Sequence, residues 1–238
     1  MARIVWDQEG QKRFETGCDR GVLYPKQSGT PASIPGMSGA TTSYSSGVAW
    51  NGLTSVSKSP SGAEANDIYA DNIKYASIRS AETFGATIEA YTYPDEWAEC
   101  DGSAVVGSGV YIGQQVRKSF GFSFRTDIGD DTDTGIDAKN KYKIHLVYNA
   151  TASPSSQQFS TINESPEAIT FSWEVTTIPA SAGDNYLPTA TLVIDSTKVD
   201  STKLAQFEDI LYGKDAGTGQ EATTPMLPMP ADVIAFFQ

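Results

Sequence analysis

Apolar residues recur mainly at every second position, which is the period of a strand with one buried face. Phe84, Ala86, Ile88 and Ala90 alternate with Gly85, Thr87 and Glu89. Phe120, Phe122 and Phe124 stand opposite Ser119, Gly121, Ser123 and Arg125, while Ile144, Leu146 and Tyr148 share a face further on. Ile169, Phe171, Trp173 and Val175 alternate with Thr170, Ser172, Glu174 and Thr176. Shorter candidates lie at Gly21–Tyr24, around Ile73–Ile78, where Asp71-Asn72 suits a turn or a bulge, and at 189–194. At least seven half-apolar strands predict a mainly β fold, antiparallel sheets packed face to face as a sandwich or barrel.

Helical spacing appears late. Leu204, Phe207 and Leu211 recur three and four apart, Asp200 can cap the first turn and Gly213 can end the last, predicting one principal helix over 200–212 that covers a sheet. Tyr93–Cys100 reads as one or two helical turns with Pro94 at the start. Residues 27–47 are almost all Ser, Thr, Gly, Ala and Pro, with isolated Ile34, Met37 and Tyr44, and predict a long loop or extended arm. Asn51-Gly52 suits a tight hairpin turn. The chain ends in the apolar run Val233-Ile234-Ala235-Phe236-Phe237. With no break in composition, residues 1–238 read as a single domain.

Composition narrows the function. The chain carries 29 acidic and 17 basic residues, a net charge of −12. That argues against a nucleic-acid binder, which needs a basic surface. A compact monomer of this mass exposes roughly 10,000 Å². No run approaches the length of a membrane-spanning helix, and the N-terminus turns charged before a signal-peptide core develops. The two cysteines, Cys18 and Cys100, read as free thiols, and the sequons at Asn149 and Asn163 as chance matches.

Catalytic signatures are weak. The single histidine, His145, lies opposite Ile144 and Leu146 on its strand and has no ligand partner at metal-binding spacing, so it reads as a structural or surface position. The acidic loop Asp127–Asp137 resembles a calcium loop, but an EF-hand starting at Asp131 needs glycine where Ile136 stands and glutamate where Tyr142 stands. Glu89 and Glu174 are strand carboxylates that a glycosidase could pair, and an outward sheet position accounts for them equally well. The glycine runs at 107–113 and 213–219 miss the dinucleotide and phosphate-loop spacings. No catalytic residue, cofactor or metal is assigned, and the chain does not read as an enzyme.

Several stretches together carry a resemblance. They are Thr16–Tyr24, Gly47–Thr54, Tyr69–Tyr75, Phe84–Trp97, Ile162–Val175 and Thr191–Ser196. In combination they resemble the major tail protein, or tail tube protein, of long non-contractile-tailed bacteriophages of Gram-positive hosts, over roughly residues 1–215. The resemblance implies a tail-tube-type fold whose copies form hexameric rings. The rings stack into a hollow conduit for DNA, assembled around the tape-measure protein in the host cytoplasm. Tail terminator and distal tail proteins close the two ends, DNA is a transient cargo, and no membrane is involved. A long loop at about 25–66 and a C-terminal arm at about 214–238 reach neighbouring subunits.

On that reading, Val48, Trp50 and Leu53 of the long loop and Phe236 and Phe237 of the tail are candidate inter-subunit contacts, unless they fold back onto their own core. Glu89 and Glu174 are candidate acidic sheet-face or lumen residues. The alternatives are a related ring or tube module, such as a tail terminator or a secretion-system tube subunit, and a carbohydrate-binding β-sandwich using Trp50, Trp97 and Trp173.

Overall fold

The computed structural model describes residues 3–62, 64–132, 141–162, 168–216 and 222–238. It is mainly β. In chain order come β1 (Phe14–Pro25), β2 (Ala32–Ser33), β3 (Thr41–Thr42), β4 (Val48–Trp50), β5 (Leu53–Lys58) and β6 (Ser61–Gly62). Then follow β7 (Ala65–Ala70), β8 (Ile73–Arg79), β9 (Glu82–Thr83), β10 (Gly85–Ala90), α1 (Trp97–Cys100), β11 (Ala104–Gly107) and β12 (Val110–Ile112). The chain continues through β13 (Phe120–Gly129), β14 (Tyr142–Ala152), β15 (Phe171–Thr177), β16 (Thr191–Asp195), α2 (Ser201–Leu211) and α3 (Pro230–Phe237).

One eight-stranded antiparallel sheet dominates, ordered β4-β1-β13-β14-β15-β10-β5, with β16 also paired to β14. Its two end strands, β4 and β5, are joined only by Asn51 and Gly52, so the sheet rolls until its ends meet. The Asn51-Gly52 turn is therefore a corner, not the hairpin its sequence predicts: β4 pairs with β1, and β5 with β10. Gly52 sits at φ 73°, which a side chain resists, and its carbonyl accepts the Tyr91 amide at 2.8 Å.

The alternation in the sequence becomes two cores. Inside the roll pack Leu23, Trp50, Ile88, Trp97, Phe120, Phe122, Phe124, Ala150, Trp173 and Val175. Outside it, Ile144, Leu146 and Tyr148 meet Leu204, Phe207 and Leu211 of α2 and Val233 of α3. Asp200 caps α2 as expected, its Oδ1 accepting the Thr202 and Lys203 amides at 3.0 and 2.9 Å. Gly121 faces this second core because nothing larger fits: a Cβ there would stand 2.3 Å from Leu227 Cδ2.

Strand β14 is buried on both faces, and its inward parity changes along its length. His145 and Val147 point into the roll before Asn149, and Ala150 and Ala152 after it. The change is a bulge at Asn149, whose φ is 46°. Tyr44 holds it, its hydroxyl accepting the Asn149 amide at 3.0 Å and lying 3.3 Å from Oδ1. Lys26 donates to the same Oδ1 at 3.1 Å.

Those two residues come from the segment expected to be an extended arm, and this part of the expectation is corrected. Across 25–47 the chain folds against its own molecule: β2 pairs with β3, and Ile34, Met37 and Ala40 form a small core with Ile210 of α2. The Thr42 hydroxyl donates to the Leu227 carbonyl at 2.6 Å. Four apolar anchors and a few hydroxyls suffice where an amphipathic pattern is missing. The expected C-terminal arm is corrected for its described end, since Pro230–Phe237 form α3 and pack beside α2. The expected α2, eleven residues long, is the longer helix against the sheet, and the eight-residue α3 joins it.

Candidate assembly surface

Among the described residues, two exposed surfaces bear on assembly. The first is the outer face of β5, β10 and β15. Antiparallel register places Ser57, Thr87 and Glu174 in one row and Ser55, Glu89 and Ser172 in the next. Their neighbours in sequence, Val56, Ala86, Ile88, Trp173 and Val175, fill the roll, so these six side chains point outward. Glu89 accepts from the Ser55 hydroxyl at 2.9 Å. Both rows hold hydroxyls and carboxylates and no cation. Glu89 and Glu174 thus share one open, acidic sheet face, on different strands and in adjacent rows.

The second surface is the β7–β8 hairpin. Its strands pair only with each other, turning at Asp71-Asn72 with both residues at positive φ, 52° and 62°. The hairpin exposes Ile68, Tyr69, Ile73, Tyr75 and Ile78, with Tyr75 at 74%. Asp67 ties it internally, accepting from Ser77 at 2.7 Å and from Lys74 at 2.8 Å. Such a two-stranded ribbon with apolar side chains in water is marginal by itself. The projecting part of the early chain is therefore 61–83, through the short β6–β9 ladder at its base, and not 25–47.

The other predicted contact residues lie elsewhere. Trp50 is buried in its own molecule, which corrects its assignment to a neighbour. Its ring centroid is 4.7 Å from Trp97, 5.5 Å from Phe122 and 5.6 Å from Trp173, and its Nε1 donates to the Thr92 carbonyl at 2.9 Å. Val48, beside Leu23, and Leu53, against the roll's core, are half-buried. Phe236 and Phe237 are half-buried on α3, with ring centroids 6.2 and 5.3 Å from Phe207. Since Trp50, Trp97 and Trp173 are all inside the roll, they form no sugar-binding platform. The projecting hairpin was legible only as alternation; its exposure needed the partner strands.

One buried polar cluster lies at the mouth of the roll near β5. His145 is buried there, stacked on Phe124 at 4.6 Å, with Lys58 Nζ 2.9 Å from Nδ1 and Thr126 Oγ1 3.0 Å from Nε2. Burial, then the Lys58 charge, pushes the imidazole down to about 4. On the outer side of β13, Arg125 holds Asp19 with two hydrogen bonds of 3.0 and 2.9 Å. Both cysteines are free, and burial pushes the thiols up, Cys18 to about 11 and Cys100 to about 12. Of the acidic loop, residues 133–137 lie outside the described residues; Asp130 accepts from Lys141 at 2.7 Å, which holds its carboxyl well below the usual range. The Asn163 sequon also lies outside them.

Among the described residues, no helix is long and apolar enough to cross a membrane. Compared with known proteins, the chain matches no family model and no curated sequence.

Proposed function

We propose that this chain is the structural subunit of a phage tail tube, in which copies form rings and the rings stack into a conduit for DNA. The observation that carries the reading is the β7–β8 hairpin, an apolar ribbon with no partner strand or covering layer among the described residues. It is a joint without its counterpart, and a chain that repeats itself supplies the counterpart. The total surface agrees: the chain exposes 15138 Å², about half as much again as the roughly 10,000 Å² of a compact monomer of its mass. The face bearing Glu89 and Glu174 suits the bore, because hydroxyls and carboxylates keep water and repel phosphates. The tape-measure protein would occupy that bore first, with terminator and distal tail proteins at the ends.

The test is negative-stain microscopy of the purified protein at high concentration. Hollow tubes of stacked rings are the expected result. Single rings that never stack would move the assignment to a terminator-like module, and a persistent monomer would remove it.

A further inference from the structure

A relay of polar side chains closes the mouth of the roll where β5 ends, and its members come from four strands. Lys58 is the last residue of β5, and the projecting 61–83 segment begins just after it. Across the mouth, Lys58 Nζ donates to His145 Nδ1 on β14 at 2.9 Å, so Nδ1 carries no proton. Nε2–H then donates to Thr126 Oγ1 on β13 at 3.0 Å, and Thr126 donates onward to Glu15 Oε2 on β1 at 3.4 Å. Lys143, also on β14, donates to the other Glu15 oxygen. From β16, Val193 stands opposite His145 and Asp195 opposite Lys143, with Asp195 engaged by Lys198 at 3.5 Å. The group thus faces two ammoniums and one carboxylate, and among the described residues β5 pairs only with β10.

We propose that the Lys58–His145 contact is an acid-released latch that fixes the C-terminal end of β5, and with it the base of the projecting hairpin, to the body of the molecule. Protonation puts a hydrogen on Nδ1, where Lys58 already presents one, and two donors 2.9 Å apart cannot share a hydrogen bond. It also gathers His145, Lys58 and Lys143 as three cations around Glu15. Glu15 does not relieve them by charge loss of its neighbours' making: its hydrogen bond from Lys143 holds its own carboxyl below the usual range, so it stays ionised into the same acid window. The seam between β5 and β14 then opens, while β13 and β14 remain paired through their ladder.

The sign follows from linkage. The closed imidazole titrates at about 4; release removes the Lys58 charge and part of the burial and moves it up toward its ordinary 6.5, so the open form holds more protons within that range. Closure is most favoured above pH 6.5, and the ratio of open to closed grows by up to about tenfold per pH unit lost toward pH 4. The inference concerns the single chain and stands whether or not the chain forms tubes.

The experiment is hydrogen exchange on the unassembled protein from pH 7 to 4.5, corrected for the intrinsic pH dependence of exchange. Amides of Ser57 and Ser59, which bond across to β10, should open more as pH falls, by up to about tenfold per unit, with β13 amides unchanged. In His145→Gln, whose amide oxygen can accept from Lys58 but does not titrate, that slope should vanish; an equal slope in the variant, or none in the wild type, overturns the latch. If that variant does not fold, Lys58→Met serves instead, read by the NMR titration of His145. The imidazole should move from about 4 toward its ordinary value, and an unmoved titration overturns the proposal.

Discussion

Trp50 shows how one side chain can be misplaced by composition alone. In a stretch of Ser, Gly and Ala it has the look of an exposed anchor, yet β4 turns it inward opposite Gly21, a residue without a side chain to obstruct it. Its ring touches two further tryptophans and Phe122, so truncation would empty the middle of the roll. Trp50→Ala should cost about 3–5 kcal/mol, a large share of the stability of a domain this size. Urea unfolding of the unassembled chain measures it. A variant as stable as the parent that no longer assembles would return Trp50 to the interface.

At the scale of elements, what the β7–β8 hairpin lacks is more telling than what it has. Ile73 and Tyr75 stand on one face of β8 and are 64% and 74% exposed. Replacing both with Asp should leave the unfolding free energy of the monomer within about 0.5 kcal/mol, because neither side chain packs on the body. The same change should abolish assembly, as read by sedimentation. If the monomer loses stability instead, the hairpin packs on its own chain. The alternation at Phe84–Ala90 and Phe120–Phe124 was enough to read these strands and their inward faces, and spacing was enough for α2. Other features depend on contacts far apart in sequence. The bulge at Asn149 is held by Tyr44, 105 residues away, and it alone decides which half of β14 turns which way. The docking of 25–47 rests on Ile34, Met37 and Tyr44, too sparse to form a period. α3 was read as an apolar tail because its hydrophobic residues run together with no polar stripe to mark a face. Of the candidate surface, the shared orientation of Glu89 and Glu174 was readable from parity, whereas their adjacency required the β10–β15 register.

For the whole molecule, the question is where a charge of −12 does its work. On the proposed reading, six copies in a ring would bring −72, and self-repulsion of that size would oppose assembly unless salt screens it. If the rows containing Glu89 and Glu174 line the bore, each ring adds twelve carboxylates from these two residues to the wall, with no lysine or arginine in either row. DNA is then held off the wall and slides. Replacing both residues with Lys reverses the sign at the same places without touching the roll's core, since both side chains point away from it. Tubes should still form. Phage carrying the double substitution should release DNA more slowly when triggered, and more slowly still at low ionic strength, because each new phosphate contact strengthens as salt falls. Time-resolved dye fluorescence of ejected DNA at two salt concentrations reads both effects. Ejection at the parental rate in low salt would place these carboxylates outside the bore, leaving the hairpin's role in assembly untouched.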